Sequence, residues 1–371
     1  GEEILKSEDD TFLMRSETEP GRGHMFEGKS TYFCVGIHNK RKTSRRIRLV
    51  ISNFTHCLDD TKYITVRQGV DTWSHLPLED VTAEVFRSID RHTQEGVLRL
   101  SVDLPPWGGR DSALFLSPFH WYCYTDMSRY LSEVADTYPY ASLESIGKTV
   151  QGRDISVLNI GEKSPDKPRI LAVQTLQPSE SGHWCCKSII DYLISEDPEA
   201  RIIRERNSIS LIPHTNPDGT VLGRGMTNSL GQAPQFEGLL ASEGKEAARE
   251  TTLLWNYLKE LQPWVYLELH SAYQDWRKKH PFRIYDENLT SDPEVRKLMK
   301  KCNDLMLAMP EHETRLTATH EADHRTFRIP ALTSLNVIPF MLKVHDKFPL
   351  KENLEHVLKV FKTLERVKHE G

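Results

Sequence analysis

Two short segments carry the side chains around which chemistry can be built. Gln177-Pro178-Ser179-Glu180 follows the apolar run Arg169–Val173, and Glu268-Leu269-His270-Ser271 follows the apolar run at Trp264–Leu267. Both runs read as buried strands, so the two segments leave the ends of neighbouring strands. A carboxylate and an imidazole delivered in that way converge at the open end of an α/β sheet, where they can share a divalent metal. The first segment has the spacing of a His-x-x-Glu pair, with Gln177 where the histidine would stand. Glu180 and His270 are therefore the expected pair of metal donors. Such a metal activates water or polarises a carbonyl.

Proton transfer needs a further group. His214 stands just before the turn Asn216-Pro217-Asp218-Gly219, at the C-terminal end of the strand Ile209–Ile212. Glu321 and His324 lie in His320-Glu321-Ala322-Asp323-His324, the densest group of acid/base side chains in the chain, with a solvated loop as the plain alternative. Tyr285, after Phe282-Arg283-Ile284, can line a pocket and donate its hydroxyl, or be a buried strand tyrosine. His183, three residues past Glu180, either faces the same pocket or begins a helix. There is no Gly-x-Gly-x-x-Gly, phosphate loop or Gly-x-Ser-x-Gly, so nucleotide-dependent and serine-hydrolase chemistry have no support.

The chain has 371 residues, 38% hydrophobic and 27% charged, which predicts a globular protein of two domains. A net charge of -5 argues against nucleic acid, and the basic cluster Arg41–Arg48 is expected to be a solvated strand edge. Six cysteines without metal-ligand spacing predict free thiols in a reducing cytoplasm. No apolar leader and no long apolar stretch are present, so no membrane partner is expected.

Residues 1–117 predict a small antiparallel β-sandwich, with strands at 30–37, 46–51, 62–66 and 96–102. Residues 118–371 predict an α/β domain with a doubly wound, mostly parallel sheet. A helix runs from Thr125-Asp126 to Asp136, and a hairpin turns at Gln151-Gly152. A strand lies at 169–173, a helix at 184–195, a strand at 209–212 and an amphipathic helix at 242–261. A helix opens at Asp292-Pro293, a last core strand covers Ala331–Val337, and a helix over 353–367 closes the chain.

These landmarks, in this order, resemble the zinc metallocarboxypeptidase family, above all its cytosolic-carboxypeptidase branch, which places a small β-sandwich before the catalytic domain. The likeness covers residues 115–345. It rests on Gly147…Gln151-Gly152-Arg153, the Gln-Pro-Ser-Glu loop, Asn216-Pro217-Asp218-Gly219, Glu268-Leu269-His270-Ser271 and Ile329-Pro330-Ala331-Leu332-Thr333. The resemblance implies a carboxypeptidase-like fold and a zinc held by Glu180, His270 and, in place of histidine, Gln177, as in some peptidoglycan-trimming bacterial relatives.

Other slots of the motif have changed. The family's base glutamate, in a sequence like Leu-Thr-Leu-Glu on the last strand, aligns with Leu335, and leucine transfers no proton. The family run Gly-x-x-Arg-x-Asn-x-x-Gly-x-Asp-Leu-Asn-Arg reads here from Gly223 to Phe236. Met226 stands in the first Arg slot and Gln235-Phe236 in the place of Asn-Arg, while Asn228 keeps its asparagine. Asn228, Arg224 two residues from the lost arginine, and Tyr285 are the substrate-binding candidates. The expected function is a divergent zinc-dependent hydrolase of an amide, small-molecule or peptide-like substrate, without the usual grip on a C-terminal carboxylate. The alternatives are a catalytically inactive binding or scaffold module, and a metal-dependent lyase or isomerase.

Overall fold

The protein is described by a computed structural model covering residues 3–8, 10–15, 19–20, 32–54, 63–68, 73–90, 93–109, 113–272, 279–317 and 325–369. Its N-terminal part is built of strands β1 (Glu3–Glu8), β2 (Thr11–Arg15), β3 (Val35–Ile37), β4 (Arg45–Phe54), β5 (Thr65–Gln68), β6 (Ser74–His75), β7 (Val81–Asp90), β8 (Thr93–Leu104) and β9 (Leu114–Ser117). They form two sheets, ordered β1-β2-β4-β8-β7 and β3-β9-β5-β6. The alternating sequence dictates the pairing. Ile47, Leu49 and Ile51 of β4 lie opposite Val102, Leu100 and Leu98 of β8, and all six are buried in one core. Two expectations are corrected here. The β2–β4 pair is parallel, so this part is not wholly antiparallel. The basic cluster is solvated as expected, with Arg41, Lys42, Arg46 and Arg48 exposed, but it enters β4, an interior strand and not an edge, where Arg46 pairs with Asp80 and Asp103.

The remainder alternates helices α1 (Tyr124–Thr137), α2 (Gly182–Leu193), α3 (Pro198–Arg206), α4 (Pro217–Val221), α5 (Gly238–Ser242), α6 (Arg249–Leu261), α7 (Pro293–Ala308), α8 (Arg328–Leu335) and α9 (Leu350–His369) with eight strands. These are β10 (Ala141–Lys148), β11 (Asp154–Ile160), β12 (Arg169–Gln174), β13 (Ser208–Ile212), β14 (Val265–Ala272), β15 (His280–Tyr285), β16 (His312–Thr317) and β17 (Ile338–His345). Among the described residues they form one sheet, ordered β10-β11-β13-β12-β14-β17-β15-β16. The central pairs β13–β12, β12–β14 and β14–β17 are parallel, and the hairpin β10–β11 is antiparallel. The architecture is thus the expected mixed, mostly parallel sheet preceded by small β-sheets. Apolar cores cover both faces, one under α2, α7 and α9 and one under α6 and α8. Strands buried on both faces read as continuous apolar runs, which is why β12 and β13 were legible in the sequence.

Three boundaries differ from expectation. The helix expected over 242–261 begins at Arg249, after a turn at Gly244 with φ +69. The second segment of the site does not leave its strand: β14 runs through His270 to Ala272. The last core strand is not Ala331–Val337. That run forms α8, which ends at Asn336 in the left-handed conformation, and the strand follows as β17. A short apolar run fits a buried strand and a buried helix equally well. Here a helix buries Ile329, Ala331 and Leu332, and Asn336 tolerates the positive φ that reverses the chain.

Candidate active site

The site forms where β12 hands over to the 175–181 loop beside β14 and β17. Glu268 and His270 alternate on one face of β14, and their parallel partners on β17 are Met341 and Lys343. The loop brings Glu180 against them because Gly182 opens α2 in close contact with β14. A β-carbon at Gly182 would lie 2.2 Å from the Leu269 carbonyl oxygen, so only glycine allows this approach.

Glu180 is buried, and its Oε2 accepts from the Ser271 N–H at 2.8 Å and faces His270 Nδ1 at 2.9 Å. Its Oε1 lies 3.7 Å from Lys343 Nζ. Burial pushes the Glu180 carboxyl up, but the charges of Lys343 and His270 and the hydrogen bonds from His270 and the Ser271 N–H outweigh it and hold it below the ordinary value. His270 Nε2 meets Glu268 Oε1 at 2.5 Å, so both ring nitrogens face carboxylates. Glu268 also receives Arg328 Nη1 at 3.1 Å, Gln235 Nε2 at 2.6 Å and the Tyr266 hydroxyl at 3.3 Å. Burial alone would raise the Glu268 carboxyl, yet Arg328 and His270 bring it down to about 2. The centre thus contains two carboxylates, an ammonium and a guanidinium around one imidazole. The formal charges of Glu180, Glu268, Lys343 and Arg328 cancel.

The altered motif positions meet one another. Gln177 turns its amide nitrogen to Met226 Sδ at 2.7 Å. Gln235 accepts from Thr175 Oγ1 and the Leu176 N–H while donating to Glu268, which ties the loop to the strand. Ser179 Oγ donates to the Gly225 carbonyl at 3.0 Å. Asp218, fully buried, accepts from Thr149, the Gln151 N–H, Arg153 and Ser229, which anchors the turn after β13 to the β10–β11 hairpin.

The remaining candidates are distributed around this centre. Asn228 is spent on its own loop, donating to Gln232 and Glu250 and accepting the N–H groups of Leu230 and Gln232. Arg224 is half-buried, and its backbone N–H closes on Gly219. Tyr285 is fully buried in the core with Phe282 and Ile284. The His214 ring packs between Tyr124 and His183, on the side facing α1 and α2, and burial holds it well below its ordinary pKa. His183 is buried in α2, bonded to the His120 carbonyl and to Gln174, and burial lowers it to about 3. Glu321 and His324 lie outside the described residues.

Leu335 requires correction. It lies in α8, half-buried on the cluster that holds Trp255 and Phe327, and not on the last strand. The β17 residue that faces the site is Lys343. Glu268, Arg328 and Lys343 carry the electrostatics of the centre, and the sequence reading gave them no role. A signal existed for Glu268, which shares the face of His270 at a spacing of two. The other two come from a helix start and a strand whose boundaries were displaced.

The donor set can be tested against a zinc ion. A zinc site needs three protein donors around an open position. Here Glu180 and His270 are one carboxylate and one imidazole, the third position is an amide turned to sulfur, and an ammonium faces the carboxylate. Among the described residues no group of three or more His, Cys, Asp or Glu is arranged to hold a metal. These residues do not fit zinc.

Comparison with known proteins places the chain. Residues 127–301 match the model of the zinc carboxypeptidase family. Mouse cytosolic carboxypeptidase 6 is 31% identical over 117 residues, 30% of this chain and 22% of that protein. Cytosolic carboxypeptidase 2 of Macaca fascicularis is 28% identical over 119 residues, 29% of this chain and 14% of that protein. The match therefore spans less than a quarter of the length of either relative. The metallo-carboxypeptidase of Pseudomonas aeruginosa, solved with (2-guanidinoethylmercapto)succinic acid, superposes with a TM-score of 0.75 at 16% identity, covering 100% of this chain and 96% of that one. The metallo-carboxypeptidase of Burkholderia cenocepacia gives 0.74 at 16% identity, covering 99% and 95%. These structures share the fold across both parts of the chain. The family model is matched along the segment that carries Glu180 and His270, so over residues 127–301 the chain is similar to the zinc carboxypeptidase family.

Proposed function

We propose that this chain is a carboxypeptidase-like binding module that takes a small-molecule or peptide-like amide ligand and does not hydrolyse it. Residues 1–117 and 118–371 are its two domains, and the cytoplasm is its compartment. The observation that carries this reading is the Lys343 ammonium, 3.7 Å from Glu180 Oε1 and paired in register with His270. In Phe340-Met341-Leu342-Lys343 a lysine follows leucine on the last strand, and this reading takes it as the counterpart of the glutamate in the family's Leu-Thr-Leu-Glu pattern. An acceptor of protons is thereby exchanged for a cation beside the only carboxylate of the expected metal set. The contacts Gln177–Met226 and Gln235–Glu268 support the same reading, since the altered positions satisfy one another and leave the family's water-activating apparatus without its parts.

A second reading, the zinc-dependent hydrolase, is favoured by the orientation of His270. Its Nδ1 points to Glu180 while its Nε2 is held by Glu268, the arrangement in which a metal-binding histidine is kept by an outer carboxylate. Incubating the full chain with a library of N-acylated di- and tripeptides, with and without added zinc, separates the two. The binding-module reading expects ligand capture without cleavage in either condition. Turnover abolished by a chelator and by Glu180→Ala would replace it with the hydrolase reading.

A further inference from the structure

The loop that replaces the family's substrate clamp already holds a carboxylate. Glu19, nearly fully buried, sends Oε1 to the consecutive N–H groups of Gly225 at 2.6 Å and Met226 at 3.1 Å, and Oε2 accepts from Thr227 Oγ1 at 2.5 Å. Two successive backbone N–H groups and a hydroxyl converging on one anion form a nest, which needs no cationic side chain. Charge-assisted bonds to a carboxylate are the strong ones, and the short distances accord with that. The neighbouring Pro20 seats against Gly231, where an added β-carbon would lie 2.9 Å from the proline ring. The nest is continuous with the site. Met226 Sδ contacts the Gln177 amide, and the Gly225 carbonyl accepts from Ser179 Oγ.

We propose that Gly225, Met226 and Thr227 form a carboxylate-binding subsite, and that Glu19 occupies it in cis as a built-in competitor of a ligand carboxylate. The inference rests on the reading of this pocket as a binding site. It adds what the ligand must carry: a free carboxylate next to an amide, placed by backbone donors instead of the missing Arg and Asn-Arg. Glu19 and Pro20 precede β3 in the chain, so the occupying carboxylate comes from the N-terminal part. A tethered carboxylate acts at an effective concentration in the millimolar range, so a soluble ligand must exceed it or bind through additional contacts.

The test compares wild type with Glu19→Ala, using N-acetyl-alanyl-alanine and its C-terminal amide as probes in calorimetric titrations of the full chain. The variant is expected to bind the acid about tenfold or more tightly than wild type does, and the amide with no comparable gain. Adding Thr227→Val to Glu19→Ala removes one donor and is expected to reverse most of the gain. Glu19→Gln serves where the alanine variant loses its fold, because it keeps the shape and drops the charge; it should show a gain of the same sign. Equal affinities of wild type and variant for the acid, an equal gain for acid and amide, or no binding of the acid to either protein would overturn the inference. Cleavage of the probe or a full equivalent of zinc would overturn the preceding section while leaving a Glu19-dependent gain intact, so the two can fail separately.

Discussion

Replacing Lys343 with alanine is expected to raise the affinity of this chain for zinc by about two orders of magnitude. Lys343 Nζ lies 3.7 Å from Glu180 Oε1. A zinc ion bonded to that oxygen at about 2.1 Å would lie no farther than about 5.8 Å from the ammonium. At an effective dielectric constant of about 20, a dication and a monocation at that separation repel by about 6 kcal/mol. The Lys343 side chain is 25% exposed, so water screens part of this, and halving it leaves about 3 kcal/mol, or about a hundredfold in Kd. Removing the ammonium also leaves Glu180 buried without its cation, which acts in the same direction. The assay is competition for zinc against a chromophoric chelator near neutral pH, with circular dichroism confirming the fold. Lys343→Arg keeps the charge and is expected to keep the weak affinity. Equal zinc affinity in wild type and Lys343→Ala would refute the electrostatic reasoning.

Three further outcomes follow from the geometry. Glu268→Gln leaves Arg328 buried without its carboxylate and is expected to cost about 3 kcal/mol, seen as a lowered Tm; an unchanged Tm would show that the pair is not what holds the centre together. Gly182→Ala drives a methyl into the Leu269 carbonyl and is expected to destabilise the chain and displace Glu180 from His270; wild-type stability in that variant would contradict the close approach of α2 to β14. Among His280, His312 and His356, burial and then the neighbouring histidines lower His280 to about 4 and His356 to about 2. Both lie below the ordinary value of 6.5, so the unfolded chain binds more protons between pH 6.5 and 4, and stability is full above that window and falls through it. Chemical denaturation across this range should show the loss, and His280→Asn should flatten it; identical profiles would contradict the assignment.

The sequence exposed the parts of this molecule that are written in periodicity. The alternation of Ile47, Leu49 and Ile51 against Leu98, Leu100 and Val102 predicts β4 and β8, and the continuous runs at β12 and β13 predict buried parallel strands. The pairing of Glu180 with His270 was legible because each ends or closes such a run. What the sequence concealed depended on boundaries and on distance. Ala331–Val337 is apolar enough for either a helix or a strand, and choosing the strand shifted the base position to Leu335 and hid Lys343. Arg328 reaches Glu268 across 60 positions, and Glu19 reaches Gly225 across 206. No local pattern encodes contacts of that range, since they exist only once the sheet has brought the segments together.

The most direct test of the central claim is the zinc content of the purified wild-type chain after zinc supplementation and gel filtration, measured by elemental analysis. With Lys343 facing Glu180 and the Gln177 amide turned to Met226, the protein is expected to retain well under one equivalent of zinc. A full equivalent of zinc per chain, lost in Glu180→Ala and in His270→Ala, would contradict the account and restore the metal-dependent reading of the site.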